Sequence, residues 1–322
     1  MQVQFQESVS SQALTASPTL DKQKLVTVAI TPRERFSFAI ASLNSILERT
    51  NYPFDMIYID AGSPPKVRQH LEAITREHDF RLLRVNKYMS PNQARNLALE
   101  HVTTKYIVFI DNDVLVTEGW LEPLVNCAEE TGAWIVAPLY LEGGLDDPII
   151  HMAGANLRIE EKDGKRYMWN DMHHAGTALK DLKVALKRKP CTSHEFHCVL
   201  VRRDVFAQLG PLDESLRNTR EHLDLSLAVQ QAGGTIYFEP ASVISYVPAE
   251  RFDSWDLPFY LSRWREKDAI ASIIHFDRKW NVVPRPISIE LIRKRRRKMI
   301  ESTLPRPLKF TGPLLVYLTR FA

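Results

Sequence analysis

The sequence predicts an α/β fold, a Rossmann-like and mostly parallel sheet flanked by helices, with a mixed half completing it. Three observations predict it. Short apolar, β-branched runs recur through the first 140 residues, and each is followed by a segment of helical periodicity. The fourth run, Tyr106-Ile107-Val108-Phe109-Ile110, is apolar throughout, as expected of a central parallel strand covered on both faces.

In order, residues 25–30 form a first strand, ended by Thr31-Pro32. A helix follows over 36–48, with Phe38, Ile40, Ala41, Ile46 and Leu47 at helical spacing. Residues 56–59 form a second strand closed by Asp60, 65–77 a helix, and 81–85 a third strand. The helix over 91–101 opens with Ser90 as N-cap and Pro91 at its first position. After the strand 106–110 the pattern is less regular. Strands are expected at 134–138, 195–201 and 235–238, and helices at 203–209 and 223–232. Residues 142–190 read as a hairpin and loop insertion, and helical segments follow from Phe252. The organisation expected is a disordered leader over 1–22, a first half over 23–140, a second half of the same domain over 141–284, and a basic tail over 285–322.

Composition narrows the class. An apolar fraction of 44% and a charged fraction of 25% are those of a globular protein with a full core. Cys127, Cys191 and Cys198 share no metal-ligand spacing and leave an odd thiol, so reduced cysteines in a reducing compartment are expected. No signal-peptide pattern opens the sequence and no apolar run spans a bilayer. The expectation is a cytoplasmic protein, with a peripheral position at the inner face of a membrane left open. Residues 285–322 hold ten Lys/Arg against two Asp/Glu; that local +8, within a chain of +3, leaves −5 on the rest. An acidic body argues against nucleic acid as substrate.

In open α/β sheets ligands sit beyond the carboxyl ends of the strands. That directs attention to Thr31, Asp60 and Asp111. Ile110-Asp111-Asn112-Asp113-Val114 places two carboxylates one residue apart where a buried strand ends. Such a pair suits a hard divalent cation, Mn2+ or Mg2+, shared with a phosphate. The competing reading is an Asx turn.

In these motifs the chain resembles the family-2 glycosyltransferases of the A-type fold. The resemblance rests on Asp60-Ala61-Gly62-Ser63, Asn92-Gln93-Ala94-Arg95-Asn96 and Asp111-Asn112-Asp113, in that order. It continues more weakly through Leu209-Gly210-Pro211-Leu212-Asp213-Glu214, Glu221-His222-Leu223-Asp224-Leu225 and Gln231-Ala232-Gly233-Gly234. It implies an inverting enzyme that moves a sugar from a nucleoside-diphosphate donor to a saccharide or lipid-linked hydroxyl acceptor. It further implies donor contacts from Thr31, Arg33, Asp60, Asn92, Arg95, Asn96, Asp111 and Asp113, with the metal on Asp111 and Asp113.

Two departures stand out. The family's Pro-Thr-Tyr-Asn-like first loop reads Thr31-Pro32-Arg33-Glu34-Arg35 here, where Arg33 or Arg35 reaches either a phosphate or an exposed carboxylate. The family's catalytic Glu-Asp pair reads Glu221-His222, so Glu221 and His222 both stand as general-base candidates with Asp224 in support. A third metal ligand is not evident; His197 and His275 are candidates, and both also suit core positions. Trp255, Trp264 and Trp280 read as an acceptor-side wall or as core. The run Arg293-Lys294-Arg295-Arg296-Arg297-Lys298 suits an anionic membrane surface or a solvated helix face. Two other functions stay open: a catalytically silent relative that binds a nucleotide or partner, and a nucleotidyltransferase, which the absence of glycine over 25–35 disfavours.

Overall fold

A computed structural model describes residues 24–248, 253–284 and 287–303; the expected leader over 1–22 and the last part of the basic tail lie outside the described residues. The first half alternates as expected: β1 (Val26–Thr31), α1 (Ala39–Arg49), β2 (Asp55–Ala61), α2 (Pro65–Glu77), β3 (Arg81–Val85), α3 (Pro91–Leu99) and β4 (Tyr106–Asp111). The start of α3 is set by Ser90, whose backbone N–H donates to Gln93 Oε1 at 3.1 Å. Next come β5 (Val114–Val116), α4 (Leu121–Thr131), β6 (Ile135–Glu142), β7 (Ile149–Met152) and a hairpin of β8 (Ala155–Lys162) and β9 (Lys165–Met172). Asp163 and Gly164 turn that hairpin with φ of 52° and 69°, the left-handed pair that a two-residue loop needs. The chain closes with β10 (Lys189–Cys191), β11 (Cys198–Arg202), α5 (Val205–Leu209), α6 (Glu221–Gln231), β12 (Ile236–Tyr246), α7 (Leu257–Arg263), α8 (Glu266–Trp280) and α9 (Ile287–Thr303).

One ten-stranded sheet runs through both halves in the order β10-β12-β6-β11-β4-β1-β2-β3, with β5 pairing β12 and β7 pairing β6. The strands β1 to β4 pair in parallel, while β11 runs antiparallel between β4 and β6. Alternate residues explain the unbroken apolar runs. Val26, Val28, Ile30, Val108 and Ile110 pack into one core cluster; Ala29, Ile107 and Phe109 pack into another.

Three elements differ from expectation. The helix α4 was not foreseen, although Leu121, Leu124, Val125 and Ala128 have its spacing and are buried. β12 runs to Tyr246 instead of ending near Phe238, because a register shift between Glu239 and Val243 absorbs Pro240 without ending the strand. The basic run belongs to α9, a helix packed on the body. Arg296 is 2% exposed and its Nη1 donates to the carbonyls of Leu261 and Trp264 at 3.0 and 2.6 Å. Ile292, Met299 and Ile300 are buried beside it. Among the described residues no helix is long and apolar enough to cross a membrane.

Candidate active site

Because β1 and β4 are parallel neighbours in register, Thr31 stands opposite Asp111 and both chains leave the sheet together. Asn112 joins the two exits. Its side chain accepts from the Arg33 N–H at 3.0 Å and donates to the Arg35 carbonyl at 2.9 Å, and its own N–H donates to the Thr31 carbonyl. That clip turns Arg33 back onto Asp111, where Nη1 meets Oδ2 at 2.8 Å. Arg95, brought in by α3, donates from Nη2 to Oδ1 at 3.3 Å, and His197 Nδ1 lies 3.4 Å from Oδ2. Burial acts to raise the Asp111 pKa, but Arg33, His197 and Arg95 together hold it well below the usual carboxylate range.

Asp113 is equally buried, yet its Oδ1 has no partner. Burial, and then the charge of Asp111, push its pKa up to about 8. The two acids of the expected metal pair thus differ: Asp111 is engaged at both oxygens, and Asp113 keeps one buried oxygen free of any hydrogen bond. Asp111 spends both oxygens on arginines, and among the described residues no three His, Cys, Asp or Glu side chains converge as ligands. His275 is drawn away by Asp213, at 2.8 Å.

A cavity of about 370 Å3 opens beside this network, and Arg33, Arg95, His197, Glu221 and His222 line it. Glu221 opens α6, after Arg220 at a φ of 74°, and its Oε1 lies 3.4 Å from Arg263 Nη2. His222 follows, with Nε2 3.4 Å from Glu195 Oε1. Burial lowers the His222 pKa and the two glutamates only partly restore it, so the ring is neutral near pH 7.

The other predicted residues lie elsewhere. Asp224, expected in support of the base, accepts from Lys279 Nζ and Trp280 Nε1, each at 2.8 Å, and fastens α6 to α8 outside the cavity lining. Asn92 donates to the Asp213 carbonyl at 2.9 Å, and Asn96 bonds both the N–H and the carbonyl of Leu212. Both amides thus brace the loop before α6. Asp60 accepts from the Ser63 N–H at 3.0 Å, which closes an Asx turn, and pairs with Arg84. Thr31 is buried with its Oγ1 unpartnered. Of the tryptophans only Trp264 lines the cavity.

Sequence reasoning passed over Glu34, Glu195, Tyr246, Arg263 and Arg295. Glu34 is a hub, 3% exposed: its carboxylate accepts from Trp264 Nε1 at 3.1 Å and Tyr246 Oη at 3.2 Å, and pairs with Arg295 at 3.2 Å. Its one sequence signal was position, three residues past the end of a buried strand.

These features define a class. The family model for glycosyl transferase family 2 matches residues 27–210, more than half of the chain, and the chain belongs to that family. It is 23% identical over 225 residues to polypeptide N-acetylgalactosaminyltransferase 11 of Xenopus tropicalis, covering 68% of this chain and 37% of that protein. It is also 22% identical over 223 residues to inactive polypeptide N-acetylgalactosaminyltransferase-like protein 5 of Macaca fascicularis, covering 66% of this chain and 49% of that protein. The chain thus spans half or less of the length of these relatives. A crystal structure of GalNAc-T7 with UDP, GalNAc and Mn2+ superposes with a TM-score of 0.55 at 18% identity, over 84% of this chain and 57% of that one. The fold is the A-type glycosyltransferase fold.

Proposed function

We propose that the protein is a nucleotide-sugar-dependent glycosyltransferase that moves a sugar from a nucleoside diphosphate to a hydroxyl acceptor with inversion. The observation that carries this reading is one cavity holding a neutral, glutamate-braced His222 beside arginines suited to phosphate. With the Nε2–H of His222 turned to Glu195, Nδ1 is the nitrogen left to accept a proton. The acceptor hydroxyl gives its proton to His222 as its oxygen forms the new bond to the anomeric carbon. The sugar–phosphate bond breaks, and the nucleoside diphosphate leaves with the bonding pair. Glu221, engaged by Arg263, holds its charge beside that path and orients the acceptor side. UDP is the first nucleotide to test, since the GalNAc-T7 structure contains it.

The test is a screen of UDP-, GDP- and dTDP-sugars for donor hydrolysis and transfer, with product anomers read by NMR. His222→Ala is expected to lower kcat by about 100-fold or more while UDP binding persists. The acid limb of kcat/KM is expected below pH 6.5, the ordinary histidine value, because the base form survives to lower pH. An axial product from an axial donor would refute inversion. A second reading, a nucleotide-binding relative without activity, is favoured by the arginines that engage both Asp111 and Glu221. UDP binding with no turnover of any donor is its signature.

A further inference from the structure

Four arginines reach the cavity from four separate elements: Arg33 after β1, Arg95 on α3, Arg263 on α7 and Arg295 on α9. Each guanidinium lies over an aromatic ring. Arg95 is 3.9 Å from the centroid of Phe196, Arg263 and Arg295 are 4.6 and 4.8 Å from that of Trp264, and Arg33 is 5.5 Å from that of Tyr246. Stacking holds the plane and leaves the N–H edge to act as a fixed fork.

Buried carboxylates account for only part of these donors. Arg33 and Arg95 share Asp111, Arg263 has Glu221, and Arg295 has Glu34, which also lies 3.9 Å from Arg33 Nε. Among the described residues, Nε of Arg33, Nε of Arg95 and both Nε and Nη1 of Arg263 are buried without a hydrogen-bond partner. Arg95 is 2% and Arg263 6% exposed. Buried N–H groups of a charged side chain are rarely left unmade, and the three arginines that carry them line one cavity together with Arg295. The cavity's remaining acids, Glu142 and Glu195, lie 3.5 and 3.4 Å from His151 and His222 rather than against an arginine.

We propose that Arg33, Arg95, Arg263 and Arg295 bind the donor's diphosphate directly and neutralise it, so that the protein holds a nucleoside diphosphate without a divalent cation. This rests on the reading of the cavity as a nucleotide-sugar site. Asp111 then has a different role from the one its motif implies: it fixes two of the forks instead of holding a metal. Arg295 gives α9 a place in the site, since the same helix that carries the basic run delivers the fourth guanidinium.

Isothermal titration calorimetry of the full chain with UDP, GDP and inorganic pyrophosphate, each in excess EDTA and in excess Mn2+, tests this. The Kd of the preferred nucleotide is expected to agree within about threefold between the two conditions. Arg263→Gln and Arg295→Gln are each expected to weaken binding about tenfold or more in EDTA, with Arg263→Lys falling between the first of these and the parent. Thermal melts of each variant without ligand separate loss of the site from loss of the fold, and pyrophosphate reports the anion site without a base. Binding that requires Mn2+, is abolished by EDTA and is lost in Asp113→Asn would overturn the proposal while leaving the glycosyltransferase reading intact. Failure of every nucleotide and of pyrophosphate to bind under both conditions would overturn both.

Discussion

Asn112, between the two acids of the motif, illustrates how single side chains set this site. Its amide contacts the backbone on both sides of Glu34, so it determines which way Arg33 and Arg35 leave β1. Two histidines nearby are held neutral by burial. His194 is fully buried, with Nδ1 2.9 Å from Ser226 Oγ and Nε2 unpartnered; burial, and next His222, push its pKa down to about 3. His197, pressed on the Tyr246 ring, is pushed to about 4 by burial and then Arg33. In the unfolded chain both return to the ordinary value of about 6.5. Folded values below the unfolded one mean that their contribution is complete above pH 6.5 and is lost as pH falls toward the folded values. Each contributes a slope of up to about 1.4 kcal/mol per pH unit in that window. Urea denaturation of His194→Gln between pH 7 and 5 should show a shallower fall than the parent, by about the share of one histidine.

At the scale of elements, turns and close approaches matter more than propensity. The turn from α6 into β12 passes Gly234 beneath Trp134. An added Cβ there would meet Trp134 Cε3 at 2.4 Å and Val229 Cγ1 at 2.9 Å. Gly234→Ala is therefore expected to destabilise by about 1–3 kcal/mol, measured by denaturant titration, with the overpacked indole as the cause. Apart from α4 and the short β5, the elements of the first half were legible, because strands covered on both faces are apolar nearly throughout and the helices between them carry one apolar stripe. Pro240 obscured the length of β12, since the bulge that tolerates it is made by partners distant in sequence.

Across the whole molecule, the charge asymmetry has two parts. Arg295 and Arg296 of α9 turn inward, Arg293 pairs with Glu266, and Arg297 pairs with Glu301. Lys294 and Lys298 point to solvent on the same helix. We propose that these two lysines, with the basic residues beyond them, bring the protein to an anionic membrane surface. Sedimentation with phosphatidylserine vesicles tests it: Lys294→Gln with Lys298→Gln should weaken binding by about 1 kcal/mol for each lysine. Equal pelleting by the parent and the double variant would remove these lysines from the contact.

The sequence by itself determined the sheet-and-helix alternation, the family, and the place of Asp111 at the end of the fourth strand, because periodicity and strand-end position are local properties. It also pointed to Glu221 and His222, since they stand where the family it resembles places a Glu-Asp pair. Only the tertiary structure decided what those residues face. Asp111 meets two arginines, Asp224 is spent on Lys279 and Trp280, and Asn92 and Asn96 bind a loop. Glu34, Arg263 and Arg295 enter the site from segments up to 261 positions apart, as the numbers 34 and 295 show. Long-range pairing between charged side chains leaves no periodic trace, so the electrostatics of the cavity had to await the packing of α7 and α9 against the end of the sheet.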